Sequence, residues 1–226
     1  TFAGAMSAWS ESPVEESHIH ILINNAGIMD VSYALTTDGI ESLFGVNHVG
    51  PTLFTQRLLP AVQADGTPED PARIVFTSSM AHMYSYSGGV RDTLNKIDDK
   101  ASYEPWSAYG QSKLAKKLAQ LTSSDSTASQ PNVLVNAVHP GLVQSELLRS
   151  TEMSIWSIYT GMQILNTLFG LKAPDGALAT LYAATSNEVR EKHYNSEHFV
   201  PYGELATPSA NARNDKLHDA VWTLTQ

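Results

Sequence analysis

Four short apolar runs punctuate the chain, and between them apolar positions recur at helical spacing. The runs are His18-Ile19-His20-Ile21-Leu22-Ile23-Asn24, Arg73-Ile74-Val75-Phe76-Thr77, Val133-Leu134-Val135-Asn136-Ala137-Val138 and His198-Phe199-Val200-Pro201-Tyr202-Gly203. Rich in β-branched residues and bounded by turn formers, they predict strands, the first of them buried in a parallel sheet. From Thr36, the positions Ile40, Leu43, Phe44, Asn47, His48, Leu53, Phe54, Leu58 and Leu59 keep a 3.6-residue period. That predicts a helix capped by Thr36 or Thr37, with Asp38 in its first turn. Gly50-Pro51 predicts a bend in it, because proline lacks the N–H and clashes one turn back. Further helices are expected over residues 106–123, with Leu114, Leu118 and Leu121 inward, and over 151–171, through Ile155, Ile158, Tyr159, Met162, Leu165 and Phe169. Another runs from Pro174-Asp175-Gly176 to Thr185, and a terminal one carries Leu217, Val221, Trp222 and Leu224. Residues 1–17 read as a helix tail broken at Pro13. Polar connections fall at 65–72, 80–105 and 123–131, the middle one long enough to be functional or mobile.

Strands alternating with helices imply a parallel sheet with helices on both faces. Ligands in such sheets bind beyond the C-terminal strand ends. Asn25-Ala26-Gly27, Ser78-Ser79 and Pro140-Gly141 each follow such an end, which gathers them on one rim. At 226 residues the chain has the size of a single α/β domain. A net charge of −9 argues against nucleic acid and against an anionic membrane surface as partners. No apolar run reaches the roughly 18 to 20 residues of a membrane span. The absence of cysteine excludes disulfides, thiolate metal sites and cysteine nucleophiles, and fits a reducing compartment, with the cytoplasm the expected location. His18 and His20 share a strand face, yet no carboxylate partner is evident, so no metal site is expected. Gly110-Gln111-Ser112-Lys113 is not a Gly-x-Ser-x-Gly elbow, so a serine hydrolase is not supported.

The residue types that carry chemistry lie in Tyr109-Gly110-Gln111-Ser112-Lys113. A tyrosine and a lysine four apart share one helix face. A phenol titrates near 10 and must fall by a few units to exchange protons near neutrality; a nearby ammonium favours that fall. Alone, the pair is as common as any surface pair.

In order along the chain stand Asn24-Asn25-Ala26-Gly27, Asn47 within Phe44-Gly45-Val46-Asn47-His48-Val49-Gly50, Ser79 after its strand, Tyr109-x-x-x-Lys113 and Pro140-Gly141. This ordered set resembles the short-chain dehydrogenase/reductase family, in its retinol-dehydrogenase-like branch, over about residues 18–203. The resemblance implies a Rossmann-like doubly wound parallel sheet. It implies Tyr109 as acid/base, Lys113 as the group that lowers its pKa and bonds the nicotinamide ribose, and Ser79 as the holder of the substrate oxygen. Ser78 is the rival, set second because Met80-Ala81 follow Ser79. Asn47 would support a water-mediated proton relay behind Lys113; a buried Asn bonding backbone is the alternative. Asn25, Ala26 and Gly27 would lie on the adenosine-ribose side of the dinucleotide, Pro140 and Gly141 against the nicotinamide, and the Val143 backbone at its carboxamide. Ser145 stands where the family often has a threonine near the phosphates. Residues 151–175 fall in the place of the substrate lid, where Ile155, Trp156, Tyr159 and Met162 suit an apolar substrate. The implied activity is NAD(P)-dependent interconversion of a small hydrophobic alcohol and its carbonyl, with NADP(H) preferred over NAD(H) from the branch alone. A homo-oligomer is left open.

One part of that pattern is not in the sequence. A dinucleotide-binding fold opens with strand, glycine-rich turn and helix, whereas the first run here corresponds to the family's fourth strand. At about 30 residues per βαβ unit, roughly 70 residues are expected to be missing. The chain is then a single partial domain, 1–226, with Ile19–Ile23 as an exposed apolar edge. Two functions stay open: an oxidoreductase, and a shortened non-catalytic relative acting through protein contacts.

Overall fold

The computed structural model describes residues 17–29, 32–127, 132–144 and 170–225. Their order is β1 (Ile21–Asn24), α1 (Ser42–Phe44), a π-helical turn (Gly45–Val49), α2 (Gly50–Asp65), β2 (Ala72–Thr77), a 3-10 turn (Met80–Tyr84), α3 (Leu94–Ile97), α4 (Pro105–Thr127), β3 (Val133–Val138), α5 (Ala173–Thr185), α6 (Asn187–Glu191), β4 (His198–Val200), β5 (Glu204–Leu205) and α7 (Asp215–Thr225). The sheet runs β1-β2-β3-β4-β5. Its first four strands are parallel, and β5 returns antiparallel. The fold is thus α/β with a mostly parallel sheet.

Both faces are covered. Leu22, Leu58, Val62, Ile74, Phe76, Ala119 and Val135 fill the layer between the sheet and α2 with α4. Val75, Leu134, Val138, Ala179, Ala183 and Phe199 fill the layer under α5. α7 closes over α4 through Leu217 and Val221 against Leu114 and Leu118. β2 and β3 are buried at every position, as central parallel strands require. Arg73, buried at the start of β2, donates to the Ala183 and Ser186 carbonyls and so caps α5.

Several expectations change in detail. The first long helix opens at Ser42, not near Thr36. Its cap is the buried Glu41 carboxylate, which accepts from the Leu43 and Phe44 amides at 2.8 and 2.9 Å. Gly50-Pro51 does not bend the helix alone. The preceding π turn shifts the hydrogen-bond register, so Gly50 donates to the Gly45 carbonyl and Pro51 enters the first turn of α2, where a missing N–H costs least. Residues 80–105 are not a loose loop but a chain of short turns and α3. α4 extends four residues past the expected end, to Thr127; the Leu121 side chain and residues 128–131 lie outside what is described. The last strand stops at Val200 because Pro201 cannot donate to a ladder, and a 3-10 turn follows. His18 and His20 do have carboxylate partners: Asp65 lies 3.5 Å from His18 Nδ1 and 3.0 Å from His20 Nδ1. Among the described residues no three such side chains are placed to hold a metal ion, and no helix is long and apolar enough to cross a membrane. The helix expected over 151–171 and the lid expected over 151–175 fall largely on residues 151–169, outside the described residues, as does Ser145.

Candidate active site

The parallel register fixes the rim. Asn24 lies opposite Phe76 and Thr77 opposite Val138. The segments that leave these ends therefore start at one level. The backbone N–H of Ser78 donates to the Val138 carbonyl at 2.8 Å and ties two of them together.

Below the rim runs α4. Glu104 accepts from the Trp106 and Ser107 amides and caps its N-terminus, with Pro105 in the first turn. From Ala108 to Gln120 every residue of this helix is buried. Tyr109 and Lys113 lie on one face, with the Lys113 ammonium 5.6 Å from the Tyr109 ring centroid. Ser79 lies close enough to the Tyr109 phenol to lower its pKa. Ser79 Oγ also accepts from the Ala81 amide at 3.1 Å and so caps the 3-10 turn. Ser78 is used differently: its hydroxyl donates to the Lys113 carbonyl at 2.9 Å, away from the phenol.

Asn47 reaches the same place from the π turn. Its Oδ1 accepts from the Ile28 amide at 2.7 Å, and its Nδ2 donates to the Ile28 carbonyl at 2.9 Å and to Ser112 Oγ at 3.0 Å. Ser112 in turn donates to the Tyr109 carbonyl at 2.8 Å. The side chain thus clamps the loop after β1 to the helix that carries Tyr109, which offsets the poor helix propensity of asparagine. Gly27 lies where the two meet: a Cβ there would approach Asn47 Oδ1 to 2.9 Å and Lys113 Nζ to 3.1 Å. Asn25 and Ala26 are exposed at the strand end.

Across the rim, Gly141 adopts φ +90, a conformation that favours glycine, and a Cβ there would press on Leu171 and Pro201. Pro140 precedes it, half-buried. Val143 forms a parallel bridge with Leu171, in which Leu171 donates to the Leu142 carbonyl and accepts from the Gln144 amide. In such a bridge the N–H and C=O of Val143 itself point the other way.

Electrostatics among the site's own residues run against the simplest expectation. Burial pushes the Tyr109 phenol up to about 12, and Ser79 offsets only part of this. Burial also pulls Lys113 down to about 8, and no carboxylate among the described residues offsets it. Desolvation, rather than the neighbouring ammonium, decides the sign for Tyr109.

The model of the short chain dehydrogenase family matches residues 5–91. The chain is 35% identical over 209 residues to Short-chain dehydrogenase TIC 32 A, chloroplastic, of Brassica napus, covering 90% of this chain and 62% of that protein. It is 33% identical over 208 residues to human Polyprenol dehydrogenase, covering 91% and 59%. With mouse Retinol dehydrogenase 12 it shares 32% over 213 residues, covering 93% and 61%. This chain belongs to the short-chain dehydrogenase/reductase family. It spans about three fifths of the length of the curated relatives it matches. Among solved structures, a protein of Mycobacterium paratuberculosis superposes with a TM-score of 0.68 at 29% identity, over 100% of this chain and 70% of that one. NADPH-bound carbonyl reductase from chicken fatty liver superposes with a TM-score of 0.55 at 17% identity, over 92% and 72%, which speaks to the fold alone.

This member of the family also holds residues that sequence reasoning passed over. Lys116 is fully buried and donates to the Ala26 carbonyl at 3.0 Å; burial and Lys113 together pull it down to about 6. Gly110 admits the 3-10 turn onto α4, since a Cβ would meet the Ala81 carbonyl oxygen at 2.7 Å and Tyr84 backbone at 2.8 Å. Ser112 links Asn47 to the Tyr109 backbone. The sole cue was spacing: Lys116 follows Lys113 by three, a neighbour on the helix surface.

Proposed function

We propose that this chain carries the catalytic end of an NAD(P)-dependent oxidoreductase that interconverts a hydrophobic alcohol and its carbonyl compound. One observation carries the reading: Ser79, Tyr109 and Lys113 come together at the rim, with Ser79 close enough to lower the Tyr109 phenol and the buried Lys113 ammonium 5.6 Å from the Tyr109 ring. A buried cation with no counter-ion among the described residues, beside Gly27 and below the strand ends, fits a ligand rich in hydroxyl and amide groups. Lys113 would hold the nicotinamide ribose, the Val143 backbone the carboxamide, and Asn25, Ala26 and Gly27 the adenosine side, with Pro140 and Gly141 against the ring. Ser145 is assigned toward the phosphates by family position. The bound nicotinamide supplies the hydride acceptor or donor.

The protons are handled by the chain. In the oxidative direction Tyr109 Oη takes the alcohol proton, and in the reductive direction it returns one to the carbonyl oxygen. Ser79 Oγ donates to the substrate oxygen and stabilises its developing charge. Lys113 stabilises the phenolate. Asn47 holds the Ile28 backbone and Ser112, and backs a proton path behind Lys113. The curated relatives named for polyprenol and retinol turn over long apolar alcohols by name. An apolar substrate of that kind is proposed here, with residues 151–175 as its lid. NADP(H) is proposed over NAD(H).

The test is Tyr109→Phe in the whole protein. Turnover of a long-chain allylic alcohol is expected to fall by at least about a thousandfold, while cofactor binding stays nearly intact. Unchanged turnover would remove Tyr109 from the mechanism. Running the unmodified enzyme with each nicotinamide in turn reads the cofactor preference: a higher kcat/KM with NAD(H) would overturn that part alone.

A further inference from the structure

His82 lies three residues after Ser79, in the turn Met80–Tyr84, and is buried. Its Nδ1 is 2.6 Å from the Ser79 carbonyl oxygen. On the other side of the ring the backbone N–H of Ser209 donates to Nε2 at 3.3 Å. A carbonyl only accepts and an amide N–H only donates. Both bonds therefore exist in one form of the ring: neutral, with its proton on Nδ1. The backbone N–H of His82 donates to the same Ser79 carbonyl at 3.1 Å. One residue thus grips that carbonyl twice, and the segment after β5 anchors the ring from behind. The edge of the ring meets His198, with centroids 5.5 Å apart at 76°. Burial and Lys117 hold His82 below the usual imidazole range, although the bond to Ser79 pulls the other way. The ring keeps the neutral state that the two bonds require.

The geometry points to His82 as a positioning residue for Ser79. By fixing the peptide plane on the carbonyl side of Ser79, the imidazole keeps the Ser79 hydroxyl beside the Tyr109 phenol, where the substrate oxygen would lie. The inference rests on the reading of Ser79 as the group that holds that oxygen. Chain geometry gives Ser79 little else to hold it: its side chain bonds its own turn through Ala81, and the turn rests on α4 at Gly110. Without the ring, the turn keeps one weak bond to the Ser79 carbonyl, and Ser209 loses its acceptor.

The experiment is a cycle of variants in the whole protein with cofactor bound, following reduced-nicotinamide absorbance. His82→Phe keeps a ring against His198 and removes both hydrogen bonds. It is expected to lower kcat on the order of tenfold to a hundredfold, with cofactor KM unchanged. In a Ser79→Ala background the same substitution is expected to add no further loss, because the two residues act as one unit. Equal losses in both backgrounds, or full kcat in His82→Phe beside a dead Ser79→Ala, would overturn the inference alone. Full activity in Ser79→Ala would remove the underlying reading and the inference with it. Should His82→Phe not fold, His82→Asn and His82→Gln carry the test. The Asn amide reaches the Nδ1 position and is expected to keep most of kcat; the Gln amide reaches the Nε2 position and is expected to lose it. The reverse order, or no difference, would overturn the assignment.

Discussion

At Tyr109 two effects oppose each other, and among the protein's own groups burial wins. Met29, Leu43 and Ala108 form one buried cluster with Tyr109, and Trp106 and Tyr103 pack against that cluster. The phenol is held up near 12 while Lys113 is pulled to about 8, so near neutral pH the pair is a phenol and an ammonium. A tyrosinate difference spectrum between the unmodified protein and Tyr109→Phe is therefore expected to show no ionisation of Tyr109 below about pH 10 without cofactor. A positively charged nicotinamide is expected to lower that threshold. Ionisation near pH 7 without cofactor would show that Lys113 outweighs burial. That Tyr109 and Lys113 share one helix face was legible from their spacing; the preference for Ser79 over Ser78 came from the family resemblance, and the structure uses the two serines differently, Ser78 bonding the Lys113 carbonyl and Ser79 capping its own turn. The sign of the phenol's shift was not legible, because it depends on side chains brought in from β1, α1 and α4. Gly27 was legible as a place of close approach, but toward a ligand; the structure adds Asn47 and Lys113 as its neighbours. Gly27→Ala is expected to push both aside and to cost cofactor affinity more than stability, read by titration against urea midpoints.

Among the elements, α4 organises the site, and its environment was the hardest to read. The pattern of Leu114, Leu118 and Leu121 predicted an ordinary helix with one inward face. In the structure the sheet, α7, α1 and the 3-10 turn enclose it on every side, which is why three lysines, Lys113, Lys116 and Lys117, are buried along it. No period can announce that, because the burial comes from elements distant in sequence. Gly110 is the point where the enclosure is tightest. Gly110→Ala gains helix propensity by roughly 1 kcal/mol, yet its Cβ would strike backbone atoms of Ala81 and Tyr84, which cannot rotate away. Overpacking of this kind costs about 1 to 3 kcal/mol. The turn would lift from α4 and carry Ser79 with it, so kcat is expected to fall further than the urea midpoint suggests. A more stable variant with full activity would mean that the turn shifts without moving Ser79. The helix over Asn47 shows the same limit. Its apolar period was visible, but the π turn that turns Asn47 inward and receives Pro51 is a register shift of one residue with no periodic signature.

For the whole molecule, the order of strands and helices was readable, and the alternation alone implied a parallel sheet with helices on both faces. Its electrostatic and edge properties follow from that arrangement. Lys113 and Lys117 titrate near 8 and Lys116 near 6 when folded, against 10.5 for an ordinary lysine. The destabilisation is complete below the folded values and is relieved as pH rises toward 10.5, because in that window the unfolded chain binds more protons. The urea midpoint is therefore expected to rise between about pH 7 and pH 9, and Lys116→Met is expected to raise it at pH 7 by on the order of 1 to 3 kcal/mol and to flatten the slope. A midpoint that falls over this range would place the ammoniums in water. The edge gives the last expectation. In β1, Leu22 and Asn24 point into the layer under α2, whereas Ile21 and Ile23 are 40% and 38% exposed on the other face, which α5 covers only in part. Among the described residues β1 is therefore a partly apolar edge strand of the sheet. The chain's net charge of −9 repels a second copy, but only within about 8 Å at physiological salt. Sedimentation velocity is expected to show self-association that strengthens as salt is added, and Ile21→Thr with Ile23→Thr is expected to weaken it. Association that instead dissolves in salt, or that survives both substitutions, would place the contact on a charged surface away from β1.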